Sequence, residues 1–452
     1  MKTAWTVDQI RQAEAATLGE HGEHDDGTLM RRAAAGLASV ILRELRPASG
    51  RTVHLLVGPG NNGGDALFAG AILRRRNVRV RAHLAHGTAH EAGVRALLRA
   101  GGTLIDLAGL RRPCDLIVEG LFGLGHRDTG ADPALVEAMG DTPVVAVDIP
   151  AGIDADRTVT FGGYKISHFT HPERCGRVDL VDIGLDLPAT GAPALRRWEV
   201  ADVAAAWPVP GRRDHKYTRG VVGVDAGSPA YPGAARLALA GAQYGGAGMV
   251  RYVGTVPDAD RLLDASPSVV LGEGRCQAYV AGSGWGKRPD ARRRLEELTR
   301  TPCVLDADAL HPDLLSGLDL AGCLLTPHAG ELARLLGVER AEVEHDPVDH
   351  ARAAADRYGA TVLLKGGLQY VARPGEVSVG MPVSGPGWTA RAGSGDTLAG
   401  VCGALLAAGV GATDAAVLGA SLQALTASAH PGPWPPERLV EWFPHTVSRL
   451  VG

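Results

Sequence analysis

The sequence predicts two consecutive α/β domains, and three observations support this fold class. Short apolar runs alternate with amphipathic stretches from Val53 to about Val181, which is the pattern of strands followed by helices. The same alternation restarts after a Pro- and Gly-containing segment. The length of 452 residues also exceeds the ~150 residues of one typical domain. We therefore predict a first domain over 1–206, a linker over 207–214 and a second domain over 215–452.

The strands expected in the first domain are nearly continuous runs of β-branched residues or leucine. These runs are Val53–Val57, Val78–Leu84, Leu116–Val118 and Val144–Val147. Parallel strands that helices cover on both faces have this composition, whereas strands with one solvated face alternate in polarity. The first domain is therefore predicted to be a doubly wound α/β layer.

The second half contains a similar series of apolar runs with helical stretches between them. They are Val221–Val224, Ala278–Ala281, Cys303–Leu305, Cys323–Leu325 and Thr361–Leu364. The two halves share this architecture but no sequence period, so they do not form an internal repeat. We predict a second, independent α/β domain.

Composition excludes several classes of protein. The 46 Lys and Arg residues against 50 Asp and Glu residues give a net charge of −4, and no basic block indicates a nucleic-acid partner. The six cysteines are far apart, without zinc-ligand spacing, and are expected to be reduced thiols. Met1–Arg11 lacks the apolar region of a secretory signal, and the uncharged run 397–413 is short for a membrane span. We expect a cytoplasmic protein with no membrane partner.

The densest motif of the first half is Gly58-Pro-Gly-Asn-Asn-Gly-Gly-Asp65, between a strand and a helix. Glycines there allow main-chain amides to approach a ligand, and a helix N-terminus favours phosphate. A tight strand-to-helix turn without a ligand also needs glycine. The motif alone leaves both interpretations open, because it matches neither of the standard nucleotide-binding patterns.

Two further glycine-rich segments favour a ligand site. Glu119–Arg127 and Val147–Asp154 each follow a predicted strand. Ligands of open parallel sheets bind at the carboxyl ends of the strands. The sequence therefore predicts that the three segments converge on one crevice.

In this order, the motifs resemble the epimerase domain of the NAD(P)H-hydrate repair enzymes. The segments Gly27–Ala34, Thr158–Lys165 and Val181–Leu185 extend the resemblance, which covers about residues 5–205. It implies a Rossmann-like domain that interconverts the R and S epimers of NAD(P)HX, the hydrates of reduced nicotinamide cofactors. It also implies that a dinucleotide is held by Asn61, Asn62, Gly63, Gly64, Asp65, Gly123, Leu124, Gly125, His126, Arg127, Asp128, Thr129 and Asp148.

The resemblance assigns the proton chemistry of this half to Asp148, which would lie at the nicotinamide ring. A carboxylate there can take and return a proton as the C6 hydroxyl leaves and adds again. The alternative is that Asp148 only caps a helix. The family also binds potassium, with Asn62, Glu119 and Ala151 as the implied ligands. This chain has Glu119 where the family usually has Asp, and Ala151 where it usually has Ser.

In the second half, the segment Ala392–Gly400 opens a long stretch rich in Ala, Leu and Gly. Amides at the start of such a helix form an anion hole, and Asp396 beside them can accept a proton from a hydroxyl. Phosphoryl transfer needs both elements. The alternative is a capped helix that begins with a glycine turn.

This G-x-G-D segment resembles the anion hole of ribokinase-like kinases, and other motifs narrow the resemblance to the dehydratase domain of the same repair enzymes. The resemblance covers about residues 212–450, and one departure is Ser283 in place of a usual proline. The motifs are His215–Gly220, Gly227–Ala235, Ala247–Val250, Gly282–Gly286, Asp306–Leu310, Thr326–Glu331 and Leu364–Gly366. Two of their acids, Asp306 and Asp308, could equally cap the following helix.

By this resemblance, the second domain dehydrates S-NAD(P)HX at the expense of ADP and releases AMP and phosphate. Magnesium would bridge the nucleotide phosphates. The residues implied for the hydrate are Ala235, Gly284, His328 and Asp396, and those for ADP are Lys365, Gly366, Gly367, Leu368, Gln369 and Gly395. We expect a homo-oligomer that acts on NAD(P)HX and ADP. The alternative function is a ribokinase-like kinase of a small molecule with an N-terminal ligand-binding module.

Overall fold

The computed structural model describes residues 1–19, 27–122, 132–257 and 259–452. It divides into two compact units. The N-terminal unit is Thr3–Ala194, and the C-terminal unit is Leu195–Gly452 together with Met1–Lys2. The units therefore divide ahead of the predicted linker at 207–214.

The strands of the N-terminal unit are β1 (Lys2–Trp5), β2 (Thr52–Val57), β3 (Arg79–Leu84), β4 (Thr103–Ile105), β5 (Leu116–Gly120), β6 (Val144–Val147), β7 (Arg157–Phe161), β8 (Tyr164–Lys165) and β9 (Arg177–Val181). Its helices are α1 (Val7–Leu18), α2 (Thr28–Glu44), α3 (Asn61–Arg74), α4 (Glu91–Arg99), α5 (Leu107–Leu110), α6 (Pro133–Met139), α7 (Ser167–Thr170) and α8 (Pro172–Cys175).

Seven of these strands form a parallel sheet in the order β4-β3-β2-β5-β6-β7-β9, and β1 pairs separately with β8. The chain moves outward from β2 in one direction and from β5 in the other, so the sheet is doubly wound, as predicted. The point of reversal lies between β2 and β5, where ligands of such sheets bind. The glycine-rich turn after β2 and the end of β5 are therefore at the expected ligand crevice.

The core of this unit has two layers because successive strand residues face opposite sides of the sheet. In β2, Leu55 and Val57 pack in one apolar cluster with α2 and α3. Leu56, between them, packs in a second cluster with residues of α5 and α6. All three side chains are fully buried. This accounts for the continuous apolar run in the sequence.

The strands of the C-terminal unit are β10 (Leu195–Arg197), β11 (Val221–Asp225), β12 (Met249–Tyr252), β13 (Val270–Leu271), β14 (Ala278–Ala281), β15 (Cys303–Leu305), β16 (Leu324–Leu325), β17 (Thr361–Leu364), β18 (Tyr370–Ala372) and β19 (Val379–Met381). Its helices are α9 (Val200–Ala206), α10 (Pro232–Tyr244), α11 (Asp260–Ala265), α12 (Ala291–Leu298), α13 (Pro312–Leu315), α14 (Ala329–Leu336), α15 (Arg340–His345), α16 (Pro347–Tyr358), α17 (Ser394–Ala407), α18 (Ala412–Ala429), α19 (Pro436–Leu439) and α20 (Phe443–Val451).

The sheet of this unit has the order β13-β12-β11-β14-β15-β16-β17-β18-β19-β10. It is parallel from β13 to β17 and antiparallel at the β17–β18 and β18–β19 pairs. The fold class predicted for the second half is therefore confirmed, with an antiparallel extension that the sequence did not indicate.

Residues 195–206, which we expect in the first domain, are part of the C-terminal unit. Strand β10 extends the sheet by pairing with β19, from Leu195 opposite Val379 onward. Val203 of α9 and Trp207 are buried in the apolar core of the same unit. These contacts form over a long sequence separation, so the local composition of the linker does not reveal them.

Two expectations from composition can be compared with the structure. All six cysteines are free thiols. In the described part of the chain, no helix has both the length and the apolar character needed to cross a bilayer.

Candidate active sites

The turn after β2 is tight and requires glycine at two positions. The amide of Gly58 donates to the Gly120 carbonyl at 3.0 Å. A Cβ at Gly58 would lie 1.6 Å from the Leu121 carbonyl oxygen, and one at Gly63 would lie 2.1 Å from the Gly58 carbonyl oxygen. Gly60, in contrast, has open space around it. Close packing therefore explains part of the motif, and Gly60 leaves room for a ligand.

Asn62 joins the three segments that we predicted to converge. It lies in the first turn of α3, and its Nδ2 donates to the carbonyls of Phe122 at 2.7 Å and Val147 at 2.8 Å. These carbonyls lie just beyond β5 and at the end of β6. The structure thus brings the start of α3 against both strand ends.

Glu119 is fully buried at the end of β5. Its two carboxylate oxygens accept hydrogen bonds from the amides of Leu121 at 2.8 Å and Ala151 at 3.1 Å. Burial raises the pKa of Glu119 to about 7. Two of the three implied potassium ligands, Glu119 and Ala151, are therefore in direct contact.

Asp148 follows β6 with a φ of 68°, which is rare for a residue other than glycine. Its side chain is buried, and Oδ1 accepts hydrogen bonds from Thr160 Oγ1 at 2.9 Å and from Lys165 Nζ. No helix begins after Asp148 in residues 149–156, so the alternative of a helix cap is wrong. Strained backbone at a buried carboxylate is typical of a functional site.

Lys165 closes the motif Thr158–Lys165 and has no role among those that the resemblance implies, but the structure places it at the centre of this site. Its buried ammonium also donates to Thr160 Oγ1 at 2.9 Å and to the Phe161 carbonyl at 3.0 Å. Together with Asp148, these acceptors use all three ammonium protons. A lysine at the end of a short buried strand was the signal that could have identified it.

His168 fixes the backbone on both sides of this ion pair. Its Nδ1 accepts the amide proton of Lys165 at 3.0 Å, so its Nε2 carries the proton donated to the Asp148 carbonyl at 2.7 Å. Burial lowers the pKa of His168 to about 4, which keeps the ring neutral.

Asp65 is the third buried acid of this crevice, after Glu119 and Asp148. Only 6 % of the residue is exposed, and its Oδ1 has no hydrogen-bond partner among the described residues. Burial, followed by the negative charge of Asp148, raises the pKa of Asp65 well above its ordinary value. The remaining residues predicted to hold the dinucleotide, Gly123, Leu124, Gly125, His126, Arg127, Asp128 and Thr129, lie outside the described residues.

In the C-terminal unit, the predicted anion hole is the start of α17. Gly393 precedes the helix with a φ of 91°, and no side chain caps the first amides. A Cβ at Gly395 would lie 3.2 Å from Lys365 Nζ, so the ammonium lies against these amides. Burial, followed by the charge of Asp306, raises the pKa of Asp396 to about 6. The geometry favours the anion hole over a merely capped helix.

Asp306 organises the site around Asp396. Its Oδ1 accepts hydrogen bonds from Lys365 Nζ at 2.6 Å and Thr326 Oγ1 at 2.7 Å, and its Oδ2 accepts one from Ser283 Oγ at 2.9 Å. Burial alone would raise the pKa of Asp306, but the Lys365 ammonium and these hydrogen bonds hold it below its ordinary value. The side chain does not cap the helical turn that follows.

The glycine-rich loop after β14 packs closely on two neighbours. A Cβ at Gly282 would lie 2.1 Å from the Asp306 carbonyl oxygen, and one at Gly284 would lie 2.6 Å from the Ala234 Cβ. Gly284 is thus adjacent to the start of α10, where Ala235 is fully buried. The structure brings together these two residues predicted to contact the hydrate.

His328 caps α14 with its ring. Its Nδ1 accepts the amide protons of Gly330 at 3.0 Å and Glu331 at 3.3 Å. The backbone of His328 also pairs with that of Lys365, which is the first residue after β17. Gly366, Gly367, Leu368 and Gln369 complete the turn from β17 to β18, and Gln369 Oε1 is buried without a partner among the described residues.

A buried ion-pair network that sequence reasoning missed supports the glycine loop. Asp225, fully buried at the end of β11, accepts hydrogen bonds from Arg288 Nη1 and Arg294 Nε, each at 2.6 Å. It also accepts one from Trp285 Nε1 at 3.1 Å, and the Arg288 guanidinium lies 4.6 Å from the centre of that indole ring. The partners lie 60–69 positions from Asp225 in the sequence, so no local motif indicates them.

Comparison with known proteins finds relatives of both halves of the chain. Residues 222–432 match a family model described as NAD(P)H-hydrate dehydratase, and residues 26–166 match one described as YjeF-related protein N-terminus. The C-terminal unit also resembles the crystal structure of the ADP/ATP-dependent NAD(P)H-hydrate dehydratase of Bacillus subtilis, co-crystallised with ATP and Mg²⁺. That match has a TM-score of 0.53 and 25 % identity, and it covers 57 % of this chain and all of the other.

Relatives with both halves cover almost the whole chain. The bifunctional NAD(P)H-hydrate repair enzyme Nnr of Mycobacterium tuberculosis is 44 % identical over 440 residues, which is 90 % of this chain and 89 % of the relative. The enzyme of the same name from Escherichia coli K12 is 30 % identical over 89 % of this chain and 85 % of the relative. The chain therefore belongs to the family of bifunctional NAD(P)H-hydrate repair enzymes.

Proposed function

We propose that this chain repairs hydrated nicotinamide cofactors at two separate sites. The N-terminal unit interconverts the R and S epimers of NAD(P)HX. The C-terminal unit dehydrates the S epimer to NAD(P)H with ADP and releases AMP and phosphate. The observation that carries the proposal is the coexistence of two complete acid–base sites, around Asp148 and around Asp396, in one member of this family.

The dehydratase geometry supports a phosphoryl-transfer step before elimination. A hydroxyl is a poor leaving group, whereas a phosphate ester eliminates readily. The amides of Gly395 and Asp396 at the start of α17, where no side chain caps the helix, would form a positive site for the phosphoryl group together with the Lys365 ammonium. Asp396, one residue after Gly395, is placed to accept the proton of the attacking hydroxyl. Of the predicted ADP-binding residues, Lys365 and Gly395 have the strongest support because they lie together.

Magnesium fits this site as an ion held mainly by the nucleotide. The described residues contain no cluster of three or more His, Cys, Asp or Glu side chains arranged for a metal. Mg²⁺ commonly keeps several waters and binds through substrate phosphates with few protein ligands. When bound with ADP, it would neutralise phosphate charge, while the positions of Asp396 and Lys365 would be set by the protein.

Potassium fits the N-terminal site because that site contains a buried carboxylate. Glu119 is a buried carboxylate whose charge no cationic side chain of the described residues compensates. A monovalent cation bound by Glu119, the Asn62 side chain and the Ala151 carbonyl would supply that compensation. This assignment, a cytoplasmic location and a homo-oligomeric state remain predictions.

The alternative is a small-molecule kinase with an N-terminal ligand-binding module. It requires only the G-x-G-D segment and gives no role to the buried ion pair of Asp148 and Lys165. A kinase would release a stable phosphorylated product, whereas a dehydratase would release inorganic phosphate with the reduced cofactor. The products therefore separate the two functions directly.

The test is recovery of NADH absorbance from an equilibrated mixture of R- and S-NADHX with ADP and Mg²⁺. We expect the wild type to recover both epimers, Asp148→Asn to recover only the S fraction beyond the slow spontaneous rate, and Asp396→Asn to recover neither. Replacing ADP with ATP identifies the preferred donor. No recovery by the wild type with either nucleotide would rule out the repair function.

A further inference from the structure

Asp148 and Asp65, two of the buried carboxyl groups of the epimerase crevice, have opposite surroundings. Asp148 is ion-paired with Lys165 and hydrogen-bonded by Thr160, so its environment stabilises the carboxylate. Asp65 has no such support, because its Oδ1 is buried without a partner among the described residues. Pairs of acids whose environments differ in this way commonly divide the roles of proton donor and carboxylate.

The geometry of α3 places Asp65 on the helix face that is turned toward Asp148. Asn62 and Asp65 are three residues apart in the first turns of the helix, so they share one face. The Asn62 side chain donates to the carbonyl of Val147, which immediately precedes Asp148. Asp65 therefore faces the end of β6 from the next turn of the helix. The negative charge of Asp148 adds to burial in favouring the neutral form of Asp65.

Three charged or titratable groups face Asp65 from other elements. Asp148 follows β6, Lys165 ends β8, and Glu14 lies on α1. Lys165 favours the ionised form of Asp65, but its three protons are already donated to Asp148, Thr160 and Phe161. Glu14 is itself partly buried. Its negative charge favours the neutral form of Asp65, which is opposite to the effect of Lys165.

We propose that Asp65 is the general acid of epimerisation, an assignment that rests on the proposed function of this unit. The Asp65 carboxyl gives its proton to the C6 hydroxyl oxygen, and the C6–O bond breaks with its electron pair, releasing water. The lone pair of the adjacent ring nitrogen forms a C=N bond to C6, and the Asp148 carboxylate stabilises the resulting cation.

The second half of the reaction restores all atoms and charges. Water adds to the opposite face of C6, the C=N electron pair returns to nitrogen, and the Asp148 carboxylate takes the proton released by the water. The proton then passes from Asp148 to Asp65 through water before the next turnover. Inversion at C6 thus uses two acids. With a single carboxylate, the same group would have to act on both faces of the ring.

The decisive variant is Asp65→Asn in the full chain, with R-NADHX as substrate and conversion to the S epimer as the readout. The amide has nearly the same size and can still hydrogen-bond a ligand, but it cannot give up a proton at neutral pH. General acid catalysis contributes about 10²–10⁴-fold, so we expect kcat for epimerisation to fall by that factor while KM changes by less than about threefold. Dehydration of pure S-NADHX by the same protein should be unchanged.

Glu137→Gln is the matched control, because it removes an exposed carboxylate of the same unit that pairs with Arg111 at the surface. We expect its epimerisation rate to stay within about threefold of the wild type. If Asp65→Asn makes the N-terminal unit sensitive to protease, Asp65→Glu replaces it, and this variant should retain measurable epimerisation.

Several outcomes would overturn the assignment. These are an undiminished kcat in Asp65→Asn, a rise in KM alone, and a folded but inactive Asp65→Glu variant. A wild-type chain that does not epimerise NADHX at all would instead refute the proposed function of the unit, so the two failures are distinguishable.

Discussion

Ser283 is a single hydroxyl that connects the two acids of the dehydratase site. The single Oγ proton of Ser283 is donated to Asp306 Oδ2 at 2.9 Å, and rotation of the hydroxyl can donate the same proton to Asp396 instead, which counteracts part of the rise in the pKa of Asp396 that burial causes. Ser283 is fully buried. The position was recognised in the sequence only as a departure from a proline, and the structure gives it a role.

The pH dependence of dehydration should follow the ionisation of Asp396. Burial raises its pKa to about 6, and only the carboxylate can accept a proton, so kcat/KM should fall as pH decreases through about 6. In Ser283→Ala the favourable hydrogen bond is lost, so this acidic limb should move to higher pH. A hydrogen bond to a charged group is worth about one pKa unit, so we expect kcat/KM to be roughly tenfold lower on the acidic limb and about twofold lower at neutral pH.

The measurement is the pH profile of NADH formation from S-NADHX and ADP. Ser428→Ala is the control, because the Ser428 hydroxyl donates only to the Ala424 carbonyl of its own helix, at 2.9 Å. Its profile should match that of the wild type. An acidic limb in the same place for Ser283→Ala would mean that the hydroxyl does not influence Asp396.

At the scale of elements, the anion hole depends on how closely α10 and α17 approach. A Cβ at Gly241 would lie 2.1 Å from the Thr397 carbonyl oxygen, and one at Gly400 would lie 2.2 Å from the Ala238 carbonyl oxygen. The two helices therefore pack backbone against backbone. This contact fixes the axis of α17, and hence the position of Asp396 in its first turn.

Gly241→Ala should destabilise the C-terminal unit by about 1–3 kcal/mol, the usual cost of overpacking a core. Gly233, in the same helix, has nothing within 4 Å of an added Cβ. Gly233→Ala should therefore be neutral or stabilise by up to about 1 kcal/mol, because alanine favours helix. Urea unfolding followed by tryptophan fluorescence measures both, since Trp5 is the only one of the seven tryptophans outside the C-terminal unit. Equal midpoints for the two variants would contradict this packing argument.

The elements also show what the sequence could predict. Strands such as β2 and β11 were identified because both of their faces are buried, which makes the run continuously apolar. Strand β10 has the residues Leu-Arg-Arg, and its place in the sheet comes from pairing with β19 across almost the whole unit. Local composition carries no information about such pairing. The boundary that we predicted after residue 206 therefore lies later in the chain than the boundary after Ala194 that the contacts define.

In the candidate sites, too, local sequence predicts some of the residues and not others. The glycine motifs located Asn62, Asp148 and Asp396, because a ligand site at a strand end requires specific residue types close together in sequence. The lysines that form ion pairs with the buried acids of the two sites were not predicted in that role. Lys165 meets Asp148 from 17 positions away, and Lys365 meets Asp306 from 59. Which residues pair over such distances is decided by the folded sheet.

At the scale of the whole molecule, each unit has its own sheet, its own core and its own acid–base site. The metabolite that the proposed function passes between the sites is a free small molecule, the S epimer. If it diffuses through solvent, the two activities need not be on the same chain. We therefore expect two chains, each inactive at one site, to complement each other.

An equal mixture of Asp148→Asn and Asp396→Asn chains tests this expectation. With R-NADHX, ADP and Mg²⁺, neither variant alone should form NADH above the spontaneous rate, whereas the mixture should approach the rate of the wild type at half its concentration. Asp396→Asn supplies S-NADHX from its intact epimerase site, and Asp148→Asn dehydrates it. A mixture as inactive as its components, with each remaining site active in its own assay, would show that the epimer must pass directly within one chain.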